Sequence, residues 1–193
     1  MLTLQVIRRE LQGEVVLLTL AHADGIDLPA FRAGAHIDLH LAEDLVRPYS
    51  LCGDPQNRQH YQLGILKESQ SQGGSRAVHA LREGDRIQVS DPRNLFALDE
   101  TASHSLLIGG GIGITPMLAM AAELHAAGRS FSLHYCARSR AQAAFIAQRE
   151  QAAWADRVHL HFSDTQRLNL AAVLSDVPAN THVYTCGPTR LMN

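Results

Sequence analysis

The sequence predicts two domains: an N-terminal antiparallel β-barrel, then an α/β unit built on a parallel sheet. Three observations predict it. Short runs of alternating apolar and polar residues fill the chain up to residue 99, separated by Gly, Pro and Asp turn residues. From residue 104 onward, apolar strand-like runs alternate with helix-length segments, which implies right-handed crossovers and parallel pairing. The 193 residues are 46% hydrophobic with a mean hydropathy of −0.09, enough apolar material for one ordinary domain or two small ones.

The elements follow in order. Period-2 alternation marks strands at residues 2–7, 14–20 and 36–41, and again at 61–66 and 86–89. Turn signals lie between them at Asp24-Gly25, Gly34, Gly53-Asp54-Pro55, Gly84-Asp85 and Asp91-Pro92. Residues 74–82 form the one helical pattern of this half, domain 1–99. In the second half, domain 104–193, residues 105–108 read as a buried strand. Residues 116–127 read as a helix closed by Gly128, with Thr115 as its N-cap and Pro116 as its first residue. Strands at 131–136, 157–162 and 182–185 then alternate with helices at 141–153 and 170–174.

Composition narrows the function. Lys plus Arg number 17 and Asp plus Glu 19, a net charge of −2. A near-neutral chain gives no reason to expect nucleic acid or an anionic membrane as partner. Cys52, Cys136 and Cys186 are too far apart for a disulfide framework or a C-x-x-C site, which favours a reducing compartment. No signal peptide is evident, and no apolar stretch approaches the ~20 residues a membrane span needs. The expected location is cytoplasmic.

Four local patterns carry chemistry. Gly109-Gly110-Gly111-Ile112-Gly113-Ile114-Thr115-Pro116 joins an apolar strand to a helix. Glycines there admit a pyrophosphate to the backbone, and the helix N-terminus supplies free N–H groups. A tight turn without a ligand is the competing reading of that loop. Arg47-Pro48-Tyr49-Ser50-Leu51 offers a phosphate fork, a flat ring and a hydroxyl at a strand end, where a solvated Arg and Tyr would serve equally. Gly73-Gly74-Ser75-Arg76 opens the first helix as an anion site or an ordinary capped start. Cys186-Gly187-Pro188 ends the last strand on the same sheet edge as the Gly109 loop, with a structural cysteine as the alternative. His159 and His161 share one strand face as half of a metal site or, more simply, an exposed face; no metal site is expected.

Taken in this order, and with Phe31-Arg32-Ala33-Gly34-Ala35-His36-Ile37-Asp38-Leu39 before them, these motifs resemble the ferredoxin–NADP reductase superfamily. Within it they resemble the phthalate dioxygenase reductase and vanillate demethylase reductase group. The resemblance implies a flavin-binding barrel followed by a Rossmann-like nicotinamide-dinucleotide domain. It implies that Arg47, Pro48, Tyr49, Ser50 and Leu51 hold the flavin, that Lys67 touches it, and that Gly74, Ser75 and Arg76 bind its phosphate. It further implies that Gly110, Gly111, Gly113, Thr115, Pro116, Cys186, Gly187 and Pro188 place the dinucleotide, with Ser50, Thr115 and Cys186 flanking the reacting rings. FMN is expected, with FAD the alternative.

NADH is expected from the resemblance. Arg138 and Ser139 follow the second strand of the nucleotide unit, and no acid occupies residues 137–144, which points chemically to NADPH. The function implied is a reductase component that passes electrons from NAD(P)H through flavin to a terminal oxygenase or iron–sulfur protein. A non-catalytic flavin- or dinucleotide-binding module is the alternative. Such reductases continue past the Cys-Gly-Pro helix into a further strand and a plant-type ferredoxin domain. This chain stops at Asn193, so its nucleotide domain reads as truncated, and three scattered cysteines cannot ligate a 2Fe–2S cluster.

Overall fold

The computed structural model describes residues 1–68, 73–146, 152–165 and 168–187. Its first sheet contains β1 (Leu2–Gln12), β2 (Val15–His22), β3 (Ala35–Ala42), β4 (Leu45–Ser50), β5 (Tyr61–Leu66), β6 (Arg86–Val89) and the short β7 (Arg93–Asn94). The strand order is β4-β3-β6-β1-β2-β5, with β7 on β3, and every pairing is antiparallel. Alternation does its work here: Leu4, Val6, Leu18, Leu20, Ile37, Leu39, Leu63 and Ile65 point into one buried core. The sheet curls like a barrel without closing its ladder. β4 and β5 do not pair, and a single backbone bond from Cys52 N–H to Gln62 O (3.0 Å) spans the gap just past β4.

Helix α1 (Gly74–His79) is shorter than the pattern 74–82, because its last turn gives way at Ala80 to the approach to β6. The second sheet is parallel, ordered β10-β9-β8-β11: β8 (His104–Gly110), β9 (Phe131–Ala137), β10 (Val158–Phe162) and β11 (Thr181–Cys186). Helix α2 (Ile114–Ala126) lies on one face of it, and α3 is Leu170–Ser175. Met117, Met120, Ala121 and Leu124 of α2 pack with Leu107, Leu133, Tyr135 and Tyr184 in a core that also takes in Val15, Ala33 and Cys52 from the barrel side. At the end of α2, Arg129 N–H returns to Leu124 O (2.9 Å), made possible by Gly128 at φ 68°.

Two local expectations are corrected. The α-helix begins at Ile114 rather than Pro116, with Gly113 as its N-cap; a 3-10 turn over Gly111–Gly113 runs straight into it. Thr115 is therefore inside the first turn, and its Oγ1 donates to Ile112 O (3.1 Å) instead of capping. The helix expected over 141–153 does not start at 141: Arg140–Gln142 is a 3-10 turn, and Phe145 has φ 65°. The 147–151 part of that helix, and all of 188–193, lie outside the described residues. No helix among the described residues is long and apolar enough to cross a membrane.

Among the described residues, polar contacts at several places tie the two halves together. Arg32, before β3, meets Glu123 of α2 (Nε to Oε1, 2.9 Å) and Glu100 (2.6 Å), and Ala33 N–H donates to the same Glu123 oxygen. Gln12 Oε1 accepts from Phe145 N–H (2.7 Å), and Tyr184 OH accepts from Asp99 N–H (2.7 Å).

Candidate functional site

The carboxyl edge of the parallel sheet is assembled by close backbone approach. β11 runs beside β8 with Cys186 opposite Gly109. A Cβ on Gly113 would lie 2.3 Å from Cys186 O and 2.8 Å from Gly187 N, so the glycine loop and the Cys186–Gly187 peptide touch through main chain alone. Gly111 sits at φ 54° with nothing within 4 Å of an added Cβ, and Gly110 ends β8 beside it. The 3-10 turn Gly111–Gly113 that runs into α2 has no acidic residue and no side-chain cap, and because Ile114 N–H is already given to Gly111 O and Pro116 has none, the amides left for an anion are those that open the glycine turn. Thr115 and Pro116 are buried in that turn. Burial raises the Cys186 thiol above the ordinary thiol range and takes Cys136 to about 11, so both are neutral thiols rather than nucleophiles.

This edge opens on a cleft of about 870 Å³. Gly110, Gly111 and Ile112 form its floor, Cys136, Ala137 and Arg138 one wall, and Gly13, Glu14 and Leu66 of the barrel the other. Arg138 is exposed, while Ser139 turns inward to accept from Gln142 N–H (3.4 Å) and caps the 3-10 turn.

On the barrel side, a Cβ on Gly74 would meet Arg47 Cγ at 2.8 Å, so the Arg47 side chain lies across the start of α1. α1 has no acidic residue in its first turn. Ser75 is buried and its Oγ accepts from Glu68 N–H (3.2 Å); Arg76 and Lys67 are exposed. Tyr49 is half-buried, and that burial raises its phenol above the ordinary value, against the pull of the Arg47 charge and with that of Glu68. Pro48 is exposed and Ser50 half-buried on the same strand. Leu51 is fully buried, its N–H given to Ala35 O (3.0 Å), so its side chain serves the barrel core. The two halves of the site meet at Gly64 of β5, where an added Cβ would strike Phe145 and come within 3.2 Å of Thr115 Cγ2. Gly187 is exposed beyond Cys186; Pro188 lies outside the described residues.

Sequence reading missed a histidine stack. Parallel register puts His134 of β9 opposite His159, and its ring stacks on His159 (4.7 Å) and on His161 (5.1 Å), with His134 Nδ1 2.9 Å from His161 Nε2. Burial first, then the neighbouring imidazoles, lowers His134 to about 4. Among the described residues no group of three or more side chains is arranged to hold a metal ion.

No family model matches the chain. It is 49% identical over 183 residues to a vanillate O-demethylase oxidoreductase of Pseudomonas sp. strain HR199, covering 93% of this chain and 58% of that protein. It is 42% identical over 187 residues to a carnitine monooxygenase reductase subunit of Escherichia coli K12, covering 94% of this chain and 58% of the relative. A solved structure of phthalate dioxygenase reductase, described as modular for electron transfer from pyridine nucleotides to [2Fe-2S], superposes with a TM-score of 0.93 at 36% identity. That match covers 99% of this chain and 61% of the other. The chain thus spans about 58% of the length of the curated relatives it matches.

Proposed function

The chain is a homologue of the vanillate O-demethylase and phthalate dioxygenase reductases over the part of their length that it spans, and on that premise we propose that it carries the electron-input chemistry of an oxygenase reductase. In this reading residues 1–99 bind flavin and residues 104–193 bind a nicotinamide dinucleotide. The observation that carries it is the main-chain contact of Gly113 with Cys186–Gly187 in a glycine turn without acid or side-chain cap, opening on a cleft whose far wall is the barrel.

The residues present fit a flavin phosphate, since Arg47 lies over Gly74 at a helix start without acids. A flavin held there supplies the exchange between two-electron chemistry with a nicotinamide and one-electron delivery to an acceptor. Arg47, Gly74, Ser75 and Arg76 would anchor the phosphate, and Tyr49 and Ser50 would lie along the ring system. Lys67, just beyond β5, would touch the flavin, as the resemblance implies. The amides of the turn Gly111–Gly113, with Gly110 before it, would take the pyrophosphate, while Thr115 and Cys186 would bound the space where the rings stack. No side chain has to give or take a proton; the chain's task is orientation and exclusion of water.

FMN is favoured because the phosphate would end at Arg47 and the Gly73–Arg76 turn, and NADH is favoured on the resemblance. The electron acceptor is an iron–sulfur or oxygenase partner. Reconstitution with flavin should give a yellow protein absorbing at about 450 nm that bleaches on anaerobic NADH. Failure to bleach with NADH or NADPH would leave only a nucleotide-binding module. Mass spectrometry of the released flavin tests FMN, and finding FAD alone overturns that choice.

A further inference from the structure

The barrel wall of the nucleotide cleft is the tip of the β1–β2 hairpin, and it is fixed from two sides. Gly13, at φ 61°, turns the chain beside the segment after β9, where a Cβ would stand at ordinary contact distance, 3.5 Å, from Ala141 O. Gln12 accepts the Phe145 N–H (2.7 Å), and Glu14 O accepts the Lys67 N–H (2.8 Å). Between these ties the Glu14 side chain is exposed and borders the cleft together with Arg138. Among the described residues its carboxylate has no hydrogen bond or ion pair. The end of β9 is where a dinucleotide's adenosine ribose lies in sheets of this kind, and the acid that ordinarily reads that ribose is missing from residues 137–144.

We propose that Glu14 supplies that acid from the other domain, making the cleft selective for dinucleotides with a free ribose 2′-hydroxyl. The proposal rests on the nucleotide reading of the cleft. Its carboxylate accepts from the hydroxyl and repels a 2′-phosphate, offsetting the attraction of Arg138. Selectivity then belongs to the interface between the sheets and not to the nucleotide unit alone.

Calorimetric titration of the full chain with 5′-AMP and 2′,5′-ADP, two analogues differing only in the 2′-phosphate, tests this. Glu14→Gln keeps an acceptor and removes the charge. It should tighten 2′,5′-ADP by about fivefold and change 5′-AMP by less than about twofold, the gap narrowing as salt screens it. Affinities that move together, or a ratio that stays fixed, overturn the assignment while the nucleotide reading stands. Failure of both analogues to bind the unaltered chain overturns the two together.

Discussion

Replacing Gly113 with alanine sets two opposed effects against each other. The backbone there is right-handed (φ −62°, ψ −5°), so alanine adds no dihedral strain, and by chain entropy alone it would stabilise by about 0.4–1 kcal/mol. The added Cβ, however, would stand 2.3 Å from Cys186 O, 2.5 Å from Cys186 C and 2.8 Å from Gly187 N, all backbone atoms held by the β8–β11 ladder. Reaching ordinary contact requires the loop or β11 to shift by about 1 Å, and forced overpacking of this kind costs about 1–3 kcal/mol. Net of the entropic gain the cost is up to about 2.6 kcal/mol, and at about 2–4 °C per kcal/mol for a chain of this length Gly113→Ala should lower Tm by up to roughly 10 °C. Because the shift moves the amides of the glycine turn, kcat/KM for NADH should fall at least about tenfold. Gly128→Ala is the control: φ is 68° and its Cβ meets nothing within 4 Å, so it should cost about 1 kcal/mol and leave nucleotide affinity alone. A Gly113→Ala protein with unchanged or raised Tm and normal NADH kinetics would refute the close approach of loop and β11.

Other perturbations follow from the same contacts. Arg47→Ala should weaken flavin retention by about one to two decades, read by flavin fluorescence on dilution; full retention removes Arg47 from the phosphate site. Gln12→Ala strands the Phe145 N–H and should cost about 1–3 kcal/mol in thermal or urea unfolding, and an unchanged midpoint would remove that bond as a tie between the sheets. Glu123→Gln loosens its pair with Arg32, whose side chain is 62% exposed, so the loss should stay under about 1 kcal/mol and vanish at high salt. His134 is lowered from 6.5 to about 4, so the unfolded chain takes up its proton first. Its contribution to stability is complete above the unfolded value and is lost as pH falls from 6.5 towards 4. His134→Asn should therefore flatten the fall in Tm across that window, and an unchanged slope would remove His134 as its source.

What the sequence revealed and what it hid divide along sequence distance. Strands over 61–66 and 86–89 were legible because both faces of each are set by local alternation. The glycine loop was legible because strand, glycines and helix are contiguous. β7, two residues long, has no period to detect; it exists because β3 offers it an edge. The start of α2 was misplaced because Thr115-Pro116 is a good cap sequence, yet the glycines before it already coil as a 3-10 turn and carry the helix back to Ile114. The helix pattern after β9 was overridden at Phe145, whose N–H is taken by Gln12, 133 residues away. His134 carried no signal of its own; only parallel register brings it against His159 and His161. The cleft's barrel wall was hidden for the same reason, since a hairpin at residues 13–14 belongs to the site solely through folding.

The strand ladders also have a timetable. Among the described residues every strand partner of β1 through β7 lies between residues 2 and 94, and no ladder joins that sheet to the second. At a ribosomal pace of about 5–20 residues per second, the first sheet has all its pairing edges in hand well before β11 is made. The second sheet does not, because β8, an interior strand, waits for β11 on one side, with Thr181 reaching back to His104. Such long-range parallel closure is slow, and until it happens the β8 edge is bare. A nascent chain arrested once residue 94 has cleared the ribosomal tunnel, but before β11 is made, should already protect the amides of β1–β6 from exchange. The amides that β8 and β11 share should be the last to become protected.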